Sequence, residues 1–233
     1  MTATYERTKG RLEQYFDRTA ADTWARLTSD APVSRIRATV RAGRDRMRAT
    51  LLGLLPEDLS GLRVLDAGCG VGQLAVEAAR RGAEVVAIDI SPTLVGIARD
   101  RAREAGPLPG RIDWRTGDML GDDLGGFDHV VAMDSLIHYR PDDIAGALAR
   151  LAPRVRGSVI FTVAPATPML SAMWAAGKLF PRSDRSPAIQ PVSAATLARR
   201  AARMPALAGW SIHSRKRISS GFYISEALEA RPA

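Results

Sequence analysis

One stretch of this 233-residue chain has the residue types and spacing for ligand chemistry: Val64-Leu65-Asp66-Ala67-Gly68-Cys69-Gly70-Val71-Gly72. A strand-like run leads into it and a helical pattern follows, so it reads as a strand-to-helix turn. Glycines in such a turn let a ligand approach the backbone closely. Asp89 ends the next apolar run, 21 residues beyond Gly68. An acid at that place accepts hydrogen bonds from two ribose hydroxyls. A dinucleotide turn has the form Gly-x-Gly-x-x-Gly, and its third glycine falls on Gln73; here the third glycine is Gly72. Asp66 at the mouth of the turn would repel a pyrophosphate. A cofactor without phosphates and with a cationic amino-acid portion suits that acid better.

Two further segments follow the same logic. Gly117-Asp118-Met119 comes after the third strand pattern, and Met133-Asp134-Ser135-Leu136-Ile137-His138-Tyr139 after the fourth. Loops at the carboxyl ends of parallel strands carry the chemistry of open α/β sheets. That places His138 and Tyr139 to face a substrate; the alternative for His138 is a ring satisfied by the backbone. His129, inside the preceding strand, reads as structural. The Gly-rich turn, Asp89 and Gly117-Asp118-Met119 resemble, in that order, three motifs of the class I S-adenosylmethionine-dependent methyltransferases. The resemblance implies that Asp66, Gly68, Gly70 and Gly72 cradle the cofactor and that Asp89 takes the ribose, with Ile90 and Asp134 in the same cofactor set. It also implies Asp118 near the exocyclic adenine amine and Met119 against the ring.

The elements that position these residues alternate. Strands are expected at Arg63–Ala67, Glu84–Asp89, Ile112–Thr116, Phe127–Met133 and Ser158–Val163. Helices are expected from the Gly-rich turn through Arg81, over Pro92–Glu104 (Ser91 as cap), over Asp142–Leu151 and over Ser193–Met204. Alternating strands and helices imply an α/β fold, a doubly wound Rossmann-like sheet with helices on both faces. The tail Trp210–Ile224 reads as one or two more strands with a bend near Ser219-Ser220-Gly221.

The first sixty residues are helical in pattern and form an expected N-terminal arm or cap (1–60) on the methyltransferase domain (61–233). Val33, Ile36, Val40, Gly43, Met47, Leu51 and Leu54 make one helical stripe, and Arg37, Arg41, Arg44 and Arg48 make a second on another face. Asp30 or Ser34 suits the cap of this helix and Pro56 its end. The arginine face reads either as solvated surface or as a contact for an anionic ligand or membrane. Residues 165–191 hold Pro165, Pro168, Pro181, Pro187 and Pro191 around a short apolar run, Met169–Phe180, and read as a lid inserted after the fifth strand.

Composition narrows the classes. Lys+Arg is 33 against 25 Asp+Glu, a net charge of +8, which favours anionic partners. The single cysteine, Cys69, excludes an internal disulfide and a Cys-based metal cage, and no two of the three histidines stand at ligand spacing. No resident metal is expected, and a reducing, cytoplasmic location fits. The longest uncharged stretch, Ser158–Gly177, contains two prolines and reads as strand, turn and helix rather than a membrane span. Single-stranded nucleic-acid binding calls for aromatic stacking residues among the arginines; Val33–Leu55 has none.

Beyond the superfamily, the Ser-Leu-Ile-His-Tyr loop and Lys178-Leu-Phe-Pro-Arg-Ser-Asp-Arg-Ser-Pro187 resemble the magnesium-protoporphyrin IX methyltransferases of (bacterio)chlorophyll biosynthesis. Tyr15-Phe16, Trp24 and Val40-Arg-Ala-Gly-Arg44 resemble them too. The resemblance spans nearly the whole chain. In one departure, Thr28 stands where that family's pattern has an aromatic four residues after Trp24. What it implies is S-adenosylmethionine-dependent esterification of one propionate of a magnesium porphyrin. Arg182 and Arg185 would pair with carboxylate, Trp174 and Met173 would cover the macrocycle, and His138 would orient the reacting carboxylate. A quinone or small acid as acceptor is the alternative. Contacts with a magnesium chelatase and, peripherally, with the photosynthetic membrane are implied only by the resemblance.

Overall fold

The computed structural model describes residues 2–17, 34–167 and 188–233. Its centre is an eight-stranded mixed sheet in the order β3-β2-β1-β4-β5-β8-β7, with a short β6 paired to β5. The strands are β1 (Arg63–Ala67), β2 (Glu84–Asp89), β3 (Arg111–Thr116), β4 (Phe127–Ala132), β5 (Val155–Pro165), β6 (Pro191–Val192), β7 (Trp210–Ser220) and β8 (Tyr223–Pro232). The described helices of eight or more residues are α1 (Ala3–Tyr15), α2 (Arg35–Leu52), α3 (Gln73–Arg80), α4 (Pro92–Glu104), α5 (Pro141–Leu151) and α6 (Ala194–Ala201).

β1 to β6 run parallel, as the alternation of elements requires. The exception is the tail. β7 and β8 form an antiparallel hairpin whose second strand inserts between β5 and β7. The sequence reading stopped at Ile224, but β8 continues to Pro232 because Ala227, Leu228 and Ala230 are buried between the layers. The other differences are at element ends. β5 starts at Val155, and α2 ends at Leu52, where the Gly53 amide closes the last turn on the Ala49 carbonyl (2.9 Å), before Pro56 is reached.

The caps follow the residue types. Ser91 Oγ accepts from the Leu94 amide (3.2 Å), Ser193 Oγ from Thr196 (3.2 Å), and Thr2 Oγ1 from Tyr5 (3.1 Å). Ser34, not Asp30, caps α2 by accepting from the Arg37 amide (3.4 Å); Asp30 lies outside the described residues.

Two buried clusters fill the two faces of the sheet. One joins Leu65, Val86, Val130, Phe161 and Leu228 to α5, α6 and also Tyr5 and Leu12 of α1. The other joins Val64, Val85, Val131 and Ile160 to α3 and to Met47 and Leu51 of α2. The apolar stripe of α2 is buried only over Gly43, Met47 and Leu51, whereas Ile36 is exposed. α2 approaches β8 so closely at Gly43 that a Cβ there would lie 2.6 Å from the Tyr223 ring, so this position tolerates no side chain.

The strand order turns back at β1, with β2 and β4 on either side of it. In open parallel sheets that switch point, at the carboxyl ends of the strands, is where ligands bind.

Candidate active site

The loops after β1, β2, β3 and β4 meet at the switch point around an open cleft of about 130 Å³. The cleft is lined by Asp66, Gly68, Gly70, Asp89, Ile90, Asp118, Met119, Asp134, His138 and Tyr139. Ten of the residues singled out from the sequence are therefore brought to one place.

Gly72 is absent from that lining. It begins α3 with φ +78°, and a Cβ on it would lie 2.4 Å from the Trp114 ring and 2.9 Å from Ala98. The third glycine of the turn is there because the helix must pass close to β3 and α4, so its role here is packing rather than ligand contact. Arg182, Arg185, Trp174 and Met173, and the Met169–Phe180 helix, lie outside the described residues.

Asp66 is the penultimate residue of β1 and is buried. Its Oδ2 is buried and takes no hydrogen bond among the described residues. Burial, with the neighbouring Asp89 carboxylate, pushes its pKa up to about 7. The Ala75 amide opposes that rise, and the carboxylate oxygen left without a donor at the cleft is matched by a cationic ligand group. Burial also raises the pKa of Asp89, although the Ser91 amide (2.9 Å to Oδ1) and the Gly70 amide (2.8 Å to Oδ2) oppose the rise. The Gly70 bond ties the Gly-rich turn to the end of β2.

Asp118 is held from α1. Tyr5 donates its hydroxyl to Asp118 Oδ1 (2.8 Å), Lys9 Nζ sits 2.8 Å from Oδ2, and the Leu120 amide donates to Oδ1 (2.9 Å). Burial works to raise this carboxyl, but these donors outweigh it and hold it below the ordinary range. The Tyr5 ring stacks on Tyr139 with centroids 4.8 Å apart. Burial raises both phenols above their usual pKa, so both stay protonated at neutral pH. Tyr139 is therefore a protonated, stacked wall of the cleft, unsuited to act as a base. His138 closes a short turn, Leu136–His138, and its ring lies 6.2 Å from that of Phe16.

Sequence reading missed several residues of the lining. Tyr5 and Leu12 of α1, Phe16 just past its end, and Arg44 and Arg48 of α2 also line the cleft. The arginine stripe was visible in sequence, but which of its members meet the site depends on how α2 packs. Arg48 donates to Gln73 Oε1 (3.1 Å) at the first turn of α3. Arg44 donates through Nη1 to Asp134 Oδ2. Asp134, with φ +55°, is the one described non-glycine residue in the left-handed region. It is held there by Thr162, which accepts from its amide (2.7 Å), and by the Tyr223 hydroxyl, which donates to Oδ1 (3.0 Å).

Comparison with known proteins fixes the family. The chain is 52% identical over all 233 residues to a magnesium-protoporphyrin O-methyltransferase of Rhodobacter capsulatus, covering 100% of both chains. The chain belongs to the magnesium-protoporphyrin O-methyltransferase family. Its residues 132–232 match the model described as magnesium-protoporphyrin IX methyltransferase C-terminus, and residues 64–157 match a methyltransferase domain. The chloroplastic magnesium protoporphyrin IX methyltransferase of Arabidopsis thaliana is 31% identical, over 95% of this chain and 70% of that protein. The crystal structure of the Synechocystis PCC 6803 magnesium protoporphyrin IX methyltransferase with bound SAH is 31% identical. It superposes with a TM-score of 0.80, over 97% of this chain and 100% of that one. As in that family, the sheet is of the class I methyltransferase kind. No described helix of this family member is long and apolar enough to cross a membrane, and no described cluster of His, Cys, Asp or Glu suits a metal.

Proposed function

We propose that this chain transfers a methyl group from S-adenosylmethionine to a propionate carboxylate of magnesium protoporphyrin IX, giving the monomethyl ester. The observation that carries the cofactor is Asp66, a buried carboxylate with an unmet oxygen at the switch-point cleft. Gly68 and Gly70 leave room for the cofactor's amino-acid portion against the backbone. Asp89 would take the ribose and Asp118 the adenine amine. S-adenosylmethionine, when bound, supplies an electrophilic methyl on a sulfonium. The rest is positioning by the protein.

A propionate has a pKa near 4 and is ionised at neutral pH, so no base is needed to make the nucleophile. His138 orients this carboxylate by donating a hydrogen bond and removes no proton. Tyr5, Leu12, Phe16 and Tyr139 form an apolar wall that keeps water out. Excluding water favours a step in which an anion and a cation cancel. Holding the acceptor oxygen in line with the methyl carbon then provides most of the rate enhancement. The magnesium ion belongs to the substrate.

Delivery of the porphyrin by a magnesium chelatase and transient seating on a photosynthetic membrane belong to the same proposal. The seating is supported by two exposed apolar residues, Ile36 on α2 and Phe222 at the β7–β8 tip. Their elements are joined by the Ser220 hydroxyl donating to the Thr39 carbonyl (2.8 Å).

Mass spectrometry of products tests the reaction. The purified chain is given S-adenosylmethionine with magnesium protoporphyrin and, separately, with the metal-free porphyrin. One added methyl on the magnesium form, with little on the other, is the expected outcome. No mass gain on either porphyrin, with the cofactor still binding, would overturn the substrate.

A further inference from the structure

We propose that Arg44, clamped by Asp134, is the specificity-determining cation that docks the propionate of the substrate that is not methylated. This rests on the porphyrin reading above. The substrate class is a macrocycle with two carboxylates. One is converted to a neutral ester; the other keeps its charge and, inside a mostly apolar cleft, needs a partner. Among the described residues, Arg44 and Arg48 are the two permanently charged cations in the cleft wall. They are not equivalent. Arg48 is held by Gln73 at the first turn of α3 (3.1 Å), beside the Gly-rich turn, and by Asp45 of its own helix (2.9 Å). Arg44 sits one helical turn earlier and is bonded to Asp134, in the loop that carries His138. The Asp134 carboxylate, expected from sequence in the cofactor set, is instead taken up by Arg44, Thr162 and Tyr223, so the proposal places Arg44 with His138 on the acceptor side.

The clamp suits this task. Thr162 and Tyr223 both donate hydroxyls to Asp134, at 3.2 and 3.0 Å. The Asp134 carboxylate charge is thus shared among three donors and is not held by the guanidinium alone. The forked donor set of Arg44 matches a carboxylate. The side chains of Arg44 and Asp134 are 17% and 7% exposed, so the pair is shielded from solvent ions. The left-handed backbone of Asp134 and the missing side chain at Gly43 are what bring the two together. Residues held in sparsely populated conformations cluster at functional sites. Docking on the unreactive arm also avoids a cost: a tight ion pair on the reacting arm would stabilise its ground state.

The test is a cycle of two proteins and two substrates. Steady-state KM and kcat are measured for wild type and R44Q with magnesium protoporphyrin and with a magnesium porphyrin bearing a single propionate. Calorimetry gives the S-adenosylmethionine Kd of each protein. R44Q should raise KM for the two-propionate substrate by about tenfold or more, the loss of one charge-assisted fork. It should leave KM for the one-propionate substrate, and the cofactor Kd, within about twofold. R44K, which keeps the charge without the fork, should fall between. Y223F, which loosens the clamp, should raise KM only for the two-propionate substrate. An equal rise in KM for both substrates would overturn the proposal, as would a weakened cofactor Kd with porphyrin KM unchanged. If R44Q does not fold, R44K and Y223F carry the same comparison. Failure of wild type to methylate either porphyrin would instead refute the activity reading.

Discussion

The carboxyl of Asp66 should make cofactor binding depend on pH in a way that can be calculated. Burial and the neighbouring Asp89 place its pKa at about 7 in the free protein, above the ordinary 3.8. The sign is fixed by linkage. A carboxyl raised on folding favours the protonated form, so its contribution to stability is present at low pH and is lost as pH rises from about 4 to about 7. A cationic ligand reverses the preference, because it pairs with the ionised form. Protonated Asp66 must then lose its proton before S-adenosylmethionine binds well. At pH 6, one unit below the pKa, this costs about 1.4 kcal/mol, or tenfold in Kd; at pH 8 the penalty is nearly gone. Calorimetry at pH 6, 7 and 8 should show Kd falling about tenfold across the series, with about one proton released per ligand at pH 6. D66N removes the titrating group while keeping its shape, and it also isolates any titration of the ligand itself. Its Kd should be nearly flat and weaker than that of wild type even at pH 6, where wild type still binds by ionising Asp66. Equal wild-type Kd at pH 6 and 8, or the same slope in D66N, would refute the assignment of Asp66 to the cation.

Other consequences are simpler to measure. H138N should keep part of the turnover, down about 10- to 100-fold with porphyrin KM little changed, because an orienting hydrogen bond is lost and no base is; a complete loss with binding intact would show that His138 moves a proton. G72A should destabilise the fold by about 2 kcal/mol or more in urea denaturation, since the new Cβ meets Trp114 at 2.4 Å on a backbone with φ +78°. Wild-type stability in that variant would remove the packing role given to Gly72. Y5F deletes a donor to the charged Asp118 (2.8 Å) and should cost about 1.5–3 kcal/mol. A Tm unchanged within one degree would mean that the Tyr5 bond contributes nothing.

Much of the site was legible because local chemistry dictates it. A glycine-rich strand-to-helix turn with an acid before it, and a second acid ending the next strand, specify a ligand crevice whatever surrounds them. Asp66, Asp89 and His138 were singled out this way and Asp118 through the family resemblance, each lying at or just past the carboxyl end of a parallel strand. The period of the apolar residues gave the strands and helices within a few residues. It gave Gly72 a ligand role only because spacing cannot tell a glycine needed for a ligand from one needed by Trp114.

What sequence could not determine depends on long-range packing. The arginines of α2 form one stripe in sequence, but only the approach of Gly43 to Tyr223 decides that Arg44 meets Asp134. Tyr5 lies 113 positions from Asp118, and no local pattern connects them. The place of β8 between β5 and β7 is likewise a choice of pairing partner, made by burial of Ala227, Leu228 and Ala230. Sequence determined the cofactor crevice, since its groups are close along the chain and each strand end carries its own residues. Tertiary structure decided the walls and the acceptor side, since these are built from helices and strands that meet only when the hydrophobic core closes.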